Sequence, residues 1–586
     1  MMSSVCRSPR CVRRASLAVT LVVCVLVWGA VPLAAQSATP LLFESLPPDA
    51  AYPDAVEPGA LRWACADTAT QLRQGFESGD VPFDASLVHQ RDGRPCHIDY
   101  RPTIEGYRAQ PDDLPAHELF INVDSLALVA RRTATFGDVL DISTRIVQEL
   151  DRPLSIVLSM ERRLPSFWYE LGTARQYGNR ASLVTWRSGA PNLLNPWTQD
   201  FLKSGVAGRR RVVLVPRRLF EGREADGALF SPLLDAFRAD EGFVRSHLSW
   251  EGGDLQFVRD PRDLNRRILV HGAAARDYWG TSLTDEEYSY VLRREFGADV
   301  SLDVSGIVPH ADYFVAFLPA DGIALVSEPV TGNREIAVAA ARLLQEHFGT
   351  ALPGAARALV DGVMAAESMS GSRRVLRERI EAARQDAATG WPTPGDGALY
   401  DRMQQYVSAH CASAPGRCFD ENGVDQMLRD DPELFRDWTS EARRTRSADV
   451  FVARLIDLIE SQVEVPERSL RSRIAKKVDE LEALGFRVIR VPRFGSDHNG
   501  NATWAGIGYA NSLLLDDVLF VPTFGLGSVE ADFITALDDA LPDHYRVVPT
   551  YARHMLLHNG GVHCSVAIMR GPFDVDRRWR EMTEED

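Results

Sequence analysis

Short apolar runs recur along the chain, most of them flanked by charged or turn-forming residues. The runs lie at 117–123, 154–158, 211–215, 266–270, 313–318, 486–491, 518–521 and 545–548. Their length and their content of Val, Ile, Leu and Phe predict β-strands. Segments with helical spacing lie between them, for example at 136–150. Strands that alternate with helices predict a layered α/β domain.

Between residues 334 and 484 the pattern changes to long, charged stretches with helical spacing, clearest at 373–388 and 448–462. Prolines separate these stretches, as they do between helices. We therefore expect a helical insertion at 334–484. The α/β domain would then consist of two parts, 115–333 and 485–586.

The first 35 residues carry four arginines, then an apolar run, and no acidic residue. This order is typical of a secretory signal, here cut near Ala34 or Ala35, and it predicts a secreted or periplasmic protein. An uncleaved membrane anchor is the alternative, because the apolar run is long enough to cross a bilayer. Residues 36–114 are rich in Pro and Asp and poor in periodicity, which predicts a small loop-rich cap.

The chain of 586 residues carries a formal net charge of −16, and removal of the four leader arginines lowers it to −20. Such a length predicts two or three structural units. An acidic surface disfavours nucleic acid as a partner and suits cationic ligands. It is also compatible with a role in solubility alone.

Five of the eight cysteines remain once the leader is removed: Cys65, Cys96, Cys411, Cys418 and Cys564. In an oxidising compartment the sequence-near pairs Cys65/Cys96 and Cys411/Cys418 can form disulfides, which leaves Cys564 as a free thiol. Five reduced and unrelated cysteines are the alternative.

Four polar segments are candidates for chemistry. They are Asn195 to Asp200, Trp250 to Asp254, Pro309 to Asp312, and Gly560 to Cys564. Taken singly, each fits a surface turn, a packed polar pair or a buried inert cysteine. In the third segment, strand spacing would place His310 and Asp312 on one face, where a base and a carboxylate can address one substrate.

Taken together and in this order, the segments resemble the signature of the guanidine-modifying enzymes of the pentein fold. Trp197 to Asp200 is similar to the W-x-Q-D segment of protein-arginine deiminases, and Glu251 to Asp254 to the E-G-G element of arginine and agmatine deiminases. His310 to Asp312 resembles their H-x-D segment, and Val562 to Cys564 their nucleophile motif.

The resemblance covers roughly residues 115–330 and 485–575 and leaves the cap and the insertion unexplained. Three positions depart from the family pattern. Pro309 replaces the usual glycine, Tyr313 replaces the usual acid, and Phe201 to Lys203 follow Asp200. These departures concern the identity of the substrate more than the chemistry.

The resemblance implies a pentein fold, an α/β propeller with pseudo-fivefold symmetry, with the cap and the helical insertion added to it. It also implies roles. Asp200 and Asp312 would grip the planar guanidinium of the substrate, with Trp197 beside them. Cys564 would attack the guanidinium carbon.

The resemblance assigns the remaining roles to His310 and Glu251. His310 would act first as acid and then as base, and Glu251 would orient it. Cys564 would thereby carry a covalent thiouronium intermediate after ammonia leaves.

The sequence thus predicts an exported cysteine hydrolase that converts peptidyl-arginine to peptidyl-citrulline. Export favours a peptide or protein substrate, as does the lack of Arg or Lys within the four segments to pair with a free α-carboxylate. A deiminase of free arginine or agmatine, an amidinotransferase, and a non-catalytic guanidinium-binding pentein are the alternatives.

No cofactor and no metal are expected, and a calcium requirement is left open. The cluster His554, His558, His563 and Cys564 could be taken for zinc ligands, but its spacing matches no common zinc pattern.

Overall fold

The computed structural model describes most of the chain. The described ranges are 42–44, 55–77, 83–123 except 113 and 115, parts of 142–150, 154–160, 181–187, 198–217 except 209, 243–388 except 277–278, 280–282, 309 and 350–351, 455–494 except 465–467, 507–552 and 561–570. The predicted leader, Trp197, Cys411 and Cys418 lie outside them.

The N-terminal part contains a four-stranded antiparallel sheet. Its order is β1-β2-β4-β3, with β1 (Leu42–Glu44), β2 (Leu61–Cys65), β3 (Val88–Arg91) and β4 (Arg94–Tyr100). Helix α1 (Ala69–Glu77) buries Leu72 and Phe76 in a small hydrophobic cluster with residues of β2.

This region is more regular than the loop-rich cap predicted for 36–114. Polar residues that suggested loops form tight turns between strands. Asp92 and Gly93 both have positive φ, 50° and 76°, and join β3 to β4 as a two-residue hairpin turn. Cys65 and Cys96 lie opposite each other on β2 and β4 and form a disulfide, which confirms this predicted pair.

Five further sheets make up the rest of the described β structure. The first contains β6 (Ala116–Val123), β7 (Leu154–Met160), β8 (Ala181–Arg187) and β22 (Ala567–Arg570); the second β5 (Tyr107–Ala109), β9 (Lys203–Ala207), β10 (Arg210–Val215) and β11 (Phe243–Arg245); the third β12 (Leu255–Asp260), β13 (Asp263–His271) and β14 (Val300–Asp303); the fourth β15 (Val315–Leu318), β16 (Ile323–Pro329), β17 (Arg487–Phe494) and β18 (Ile507–Gly508); the fifth β19 (Leu513–Leu515), β20 (Val518–Thr523) and β21 (Arg546–Tyr551).

These five sheets share one topology. In each, two strands pair antiparallel and a third pairs parallel to the central one: β22/β6/β7, β9/β10/β11, β12/β13/β14, β15/β16/β17 and β19/β20/β21. A parallel partner requires a crossover connection, and helices supply several of them. Helix α2 (Asp285–Phe296) lies between β13 and β14. The predicted α/β architecture, with mixed sheets and helices, is therefore confirmed.

The described helices between β16 and β17 are α3 (Arg334–Phe348), α4 (Gly354–Ala365), α5 (Arg373–Ala388), residues 455–463, and α6 (Arg468–Ala483). Because β16 and β17 are parallel neighbours, this helical part replaces a simple crossover within the fourth sheet. Helix α7 (Ser528–Ala540) makes the corresponding connection in the fifth sheet. The bounds predicted for the insertion stay a prediction. None of the helices in the described ranges is long and apolar enough to cross a membrane.

The N-terminal sheet and the second and third of the five sheets share a hydrophobic cluster that includes Trp63, Trp250 and Phe296. Glu295, fully buried on α2, fixes this contact. Its carboxylate accepts hydrogen bonds from Tyr100 Oη at 2.8 Å and from the backbone nitrogen of Thr103 at 2.9 Å. A buried carboxylate is stable when donors surround it in this way, so the cap is anchored to the α/β domain.

Candidate active site

The candidate segments lie far apart in the sequence but occupy equivalent positions in the five sheets. Asp200 lies just before β9, Gly253 before β12, Asp312 before β15 and Cys564 before β22. The fifth equivalent position, just before β19, is occupied by Asn511. Hydrogen bonds and close approaches among these residues show that the five positions converge on one site.

His310 and Asp312 reach the site by a different local structure from the one predicted. The strand begins at Val315, and residues Ala311–Tyr313 form one turn of 3₁₀ helix instead. The backbone nitrogen of Phe314 closes this turn by donating to the Ala311 carbonyl at 2.9 Å. The expectation that strand spacing aligns His310 and Asp312 was therefore wrong, although both side chains point to the same place.

Gly253 marks that place. Its backbone nitrogen donates to Asp200 Oδ1 at 2.9 Å. A Cβ atom at position 253 would lie 3.0 Å from Asp200 Oδ1, 3.1 Å from Asp312 Oδ2 and 3.1 Å from His310 Nδ1. Any side chain at position 253 would crowd these three atoms, so glycine is required. Two carboxylates and an imidazole nitrogen thus converge beside Gly253.

His310 is held by Glu251. Its Nε2 lies 2.5 Å from Glu251 Oε2, and both side chains are buried. Burial lowers the pKa of His310, but the negative charge of Glu251 and the hydrogen bond to it raise the pKa to about 9. At neutral pH His310 is therefore an imidazolium, with Nδ1 directed toward Gly253.

Cys564 is a buried free thiol. Its Sγ donates to Asp312 Oδ2 at 3.2 Å and accepts from Asn511 Nδ2 at 3.1 Å. Burial, and then the negative charges of Asp312 and Asp200, raise the pKa of the thiol well above its usual value. The thiol of Cys564 is thus protonated.

Asp312 connects the nucleophile with a second imidazole. Its Oδ2 lies 3.1 Å from His563 Nδ1, and burial of Asp312 is complete. Burial raises the pKa of a carboxyl, but the hydrogen bond to His563 and attraction from the neighbouring imidazoles lower the pKa of Asp312 below its usual value. Its other oxygen, Oδ1, has no hydrogen-bond partner among the described residues. An ionised and buried carboxylate oxygen without a donor is costly, and it fits a site that receives a cationic ligand.

Asn511 was not among the predicted site residues. Its Oδ1 accepts from the His563 backbone nitrogen at 3.0 Å, while its amide nitrogen reaches the sulfur. Gly561 allows this approach, since a Cβ at 561 would lie 2.4 Å from Asn511 Oδ1. The sequence signal for Asn511 was its position just before the first strand of the fifth sheet. That position can be recognised as equivalent to the others only once the five sheets are known.

Lys203 is a second residue that the motifs did not single out. It lies three positions after Asp200 and is buried. With the Gln199 amide nitrogen turned toward the Val566 carbonyl, the Gln199 oxygen accepts from Lys203 Nζ at 2.9 Å. Burial lowers the pKa of Lys203, an effect that Asp112, Asp312 and Asp200 oppose. Lys203 therefore lies on the same side of the site as these carboxylates.

The structure thus brings Asp200, Glu251, His310, Asp312 and Cys564 together, and their individual roles stay predictions. Trp197, placed by the resemblance in the substrate-binding set, lies outside the described residues. So do His554 and His558 of the zinc alternative. Within the described ranges no group of three or more His, Cys, Asp or Glu side chains is arranged to hold a metal ion.

Residues 442–568 match the model of a family described as Porphyromonas-type peptidyl-arginine deiminase. The resemblance to guanidine-modifying deiminases is confirmed. The matched segment begins inside the predicted insertion and includes Asn511, His563 and Cys564. Asp200, Glu251, His310 and Asp312 precede it and join the site through the tertiary structure.

Solved structures of deiminases are similar to this chain at low identity. An agmatine deiminase from C. jejuni is 12% identical, with a TM-score of 0.43, over 80% of this chain and 97% of its own. A protein titled as a putative peptidyl-arginine deiminase is 11% identical, with a TM-score of 0.45, over 80% and 100%. A putative arginine deiminase from Porphyromonas gingivalis is 11% identical, with a TM-score of 0.40, over 80% and 98%. No curated protein matches the sequence.

Proposed function

We propose that the protein is a deiminase that hydrolyses guanidinium groups through a covalent intermediate on Cys564. The observation that carries the proposal is the convergence of Asp200, Asp312 and His310 on Gly253, whose missing side chain lets them approach. The ionised Asp312 beside it has one oxygen without a partner among the described residues, as a receptor for an N–H cation would. The five sheets of common topology would form the closed ring of a pentein, with the site at its centre.

Binding of the substrate would activate the thiol. A guanidinium presents planar N–H groups that two carboxylates bind by charge-assisted hydrogen bonds. In this site Asp200 and Asp312 would bind it, and its positive charge would offset the carboxylates that raise the pKa of Cys564. The thiol proton is already directed at Asp312 Oδ2, 3.2 Å away. The substrate thus favours loss of this proton to solvent and formation of the thiolate that attacks it.

The covalent steps then use His310. The sulfur forms a bond to the guanidinium carbon, and the π electrons of a C–N bond move to nitrogen. His310 donates its Nδ1 proton to that nitrogen, the C–N bond breaks, and ammonia leaves a cationic thiouronium on Cys564. Neutral His310 next accepts a proton from water, whose oxygen bonds to the carbon. The C–S bond breaks and returns its electrons to sulfur, and the hydroxyl proton of the product restores the thiol. One water is thereby consumed, and ammonia is released together with the proton that the thiol lost on activation.

We propose peptidyl-arginine as the substrate. A blocked arginine has no free α-carboxylate, so its binding needs no second buried cation. Lys203 is the observation that favours free arginine. Its amine, however, is bonded to Gln199 and lies among the carboxylates that would hold the guanidinium, at the opposite end of an arginine from its α-carboxylate. Free arginine or agmatine deimination, amidine transfer and guanidinium binding without turnover are the competing outcomes.

Two further parts of the proposal concern cofactors and the location of the protein. The reaction as drawn uses side chains of the chain alone, and we propose that no cofactor takes part; calcium dependence is to be measured. The arginine-rich and apolar N-terminus supports export to the periplasm or the exterior, with membrane attachment only if the leader is not cleaved.

The test is a comparison of citrulline and ammonia formation from a blocked peptidyl-arginine, free arginine and agmatine, each with and without added calcium. We expect the highest kcat/KM for the blocked peptide. A clear preference for either small molecule would change the substrate but keep the chemistry. Transfer of the amidine to an added amine without ammonia release would identify a transferase. Protection of Cys564 from alkylation by a guanidine without any turnover would identify a binding protein.

A further inference from the structure

Tyr313 lies beside Cys564, the proposed nucleophile. The related deiminases usually have an acid at this position. It is buried, and it ends the 3₁₀ turn that also carries Asp312. Its side chain hydrogen-bonds to Cys564. A departure from the family pattern therefore contacts the reacting sulfur itself.

The backbone of Tyr313 is fixed on both sides. Its nitrogen donates to the His310 carbonyl at 3.2 Å, and its carbonyl accepts from Ser327 Oγ at 2.7 Å. Ser327 belongs to β16, which pairs antiparallel with β15, the strand that follows the 3₁₀ turn. The ring centroid lies 6.3 Å from that of His310. These bonds fix the backbone from which the buried side chain of Tyr313 extends toward Cys564.

The sulfur of Cys564 has one hydrogen-bond acceptor and one hydrogen-bond donor beside it. Asp312 Oδ2 accepts its proton, and Asn511 Nδ2 donates to it at 3.1 Å. The Tyr313 hydroxyl can act as a second donor because it keeps its own proton. Burial raises the pKa of Tyr313 well above its usual value, and so do the charge that Cys564 would carry as a thiolate and the charges of Asp312 and Asp200. Hydrogen bonds from neutral donors stabilise a charged acceptor more than a neutral one.

We propose that Tyr313 is a catalytic residue whose hydroxyl donates a hydrogen bond to Cys564 Sγ and stabilises the thiolate, both before attack and when sulfur departs from the second tetrahedral intermediate. The catalytic part of this inference rests on the proposed deiminase function. An acid at position 313 would place another negative charge beside the sulfur and oppose the thiolate. Tyrosine supplies a donor there instead.

The titratable groups around the sulfur come from several elements. Asp312 and Asp200 oppose the thiolate, His310 is paired with Glu251, and His563 hydrogen-bonds to Asp312. The buried Lys203 interacts with both Asp312 and Asp200. Replacement of Tyr313 by Phe leaves all of these groups in place, so a changed thiol titration reports the hydroxyl alone.

The experiment measures the rate of alkylation of Cys564 by iodoacetamide against pH, without any guanidine, in the full chain. For Tyr313→Phe we expect the midpoint to rise, with alkylation about tenfold slower at a fixed pH below it, as the loss of one hydrogen bond to a charged group implies. Tyr290→Phe is the matched control. Its buried hydroxyl has no hydrogen-bond partner among the described residues, so its midpoint should equal that of the wild type.

A second measurement covers the case in which Tyr313→Phe does not fold. Incorporation of 3-fluorotyrosine at position 313 keeps the shape and makes the hydroxyl a stronger donor, so the midpoint should fall. If the midpoint of the alkylation profile is unchanged in every one of these variants that folds, the proposal is overturned. A shifted midpoint with no turnover of any guanidine by the wild type would keep the hydrogen bond to sulfur and reject the deiminase function, so the two failures are distinguishable.

Discussion

Cys564 Sγ lies 3.2 Å from Asp312 Oδ2, so the carboxylate proposed to bind the substrate also holds the proton of the nucleophile. The thiol donates to Oδ2, whereas Oδ1 has no hydrogen-bond partner among the described residues. A guanidinium bound at Oδ1 would make the thiolate more favourable by its charge. Binding and activation are thereby coupled through one carboxylate.

Replacement of the nucleophile should abolish turnover. In Cys564→Ala the covalent route is lost, and we expect ammonia release to fall by several orders of magnitude. The measurement is ammonia release by the purified variant, with circular dichroism to confirm that it is folded. Substantial residual turnover by the folded variant would show that the covalent mechanism is wrong.

The acids that hold the guanidinium should matter for binding and for the transition state together. Asp200→Asn and Asp312→Asn each remove a charge-assisted contact, so we expect kcat/KM to fall about 100-fold or more, with Cys564 still present and reactive. Asp321→Asn is the control, because Asp321 pairs with His544 outside the site. If Asp200→Asn equals the wild type with every guanidine tested, the assignment of Asp200 is wrong.

The pKa of His310, about 9, should depend on Glu251. In Glu251→Gln the neighbouring negative charge is lost while burial remains, so His310 should titrate at lower pH. Histidine NMR titration of the two proteins measures this directly. The alkaline limb of kcat/KM should move to lower pH in the same variant, because His310 must be protonated to donate to the leaving nitrogen.

The same pair should contribute to stability with a definite sign. The folded-state pKa of His310 is raised, so its contribution is fully present below the unfolded value of about 6.5 and is lost as the pH rises through about 9. The difference in unfolding free energy between the wild type and Glu251→Gln should follow that course. Glu328→Gln, which removes an exposed carboxylate paired with Arg490, should show no such dependence. An equal dependence in both variants would remove the link to His310.

The disulfide pattern can be checked by peptide mapping without reduction. The structure contains Cys65–Cys96, and the predicted Cys411/Cys418 pair lies outside the described residues. We expect both pairs to be oxidised in exported protein while Cys564 stays alkylatable. A bridge that includes Cys564 would contradict the assignment of the nucleophile.

Much of the secondary structure could be predicted from the sequence because it depends on local patterns. The apolar runs at 211–215 and 518–521 lie within β10 and β20, and the helix expected at 373–388 has those bounds in α5. The prediction at 313–318 was less accurate. The first residues of that run form a 3₁₀ turn, where hydrogen bonds between near neighbours replace strand pairing.

By itself, then, the sequence determined many of the elements outside the N-terminal part, the acidic charge, the number of cysteines and the order of the polar segments, all of which are properties of composition and short-range spacing. The tertiary structure decided which residues meet. Asn511, Lys203 and Tyr313 carry no local mark of function, and their contacts with one site follow from five sheets that each place the residues before their first strand at a common centre. The pKa values of Cys564 and His310 also depend on it, because burial and opposing charges are contributed by elements hundreds of residues apart along the chain.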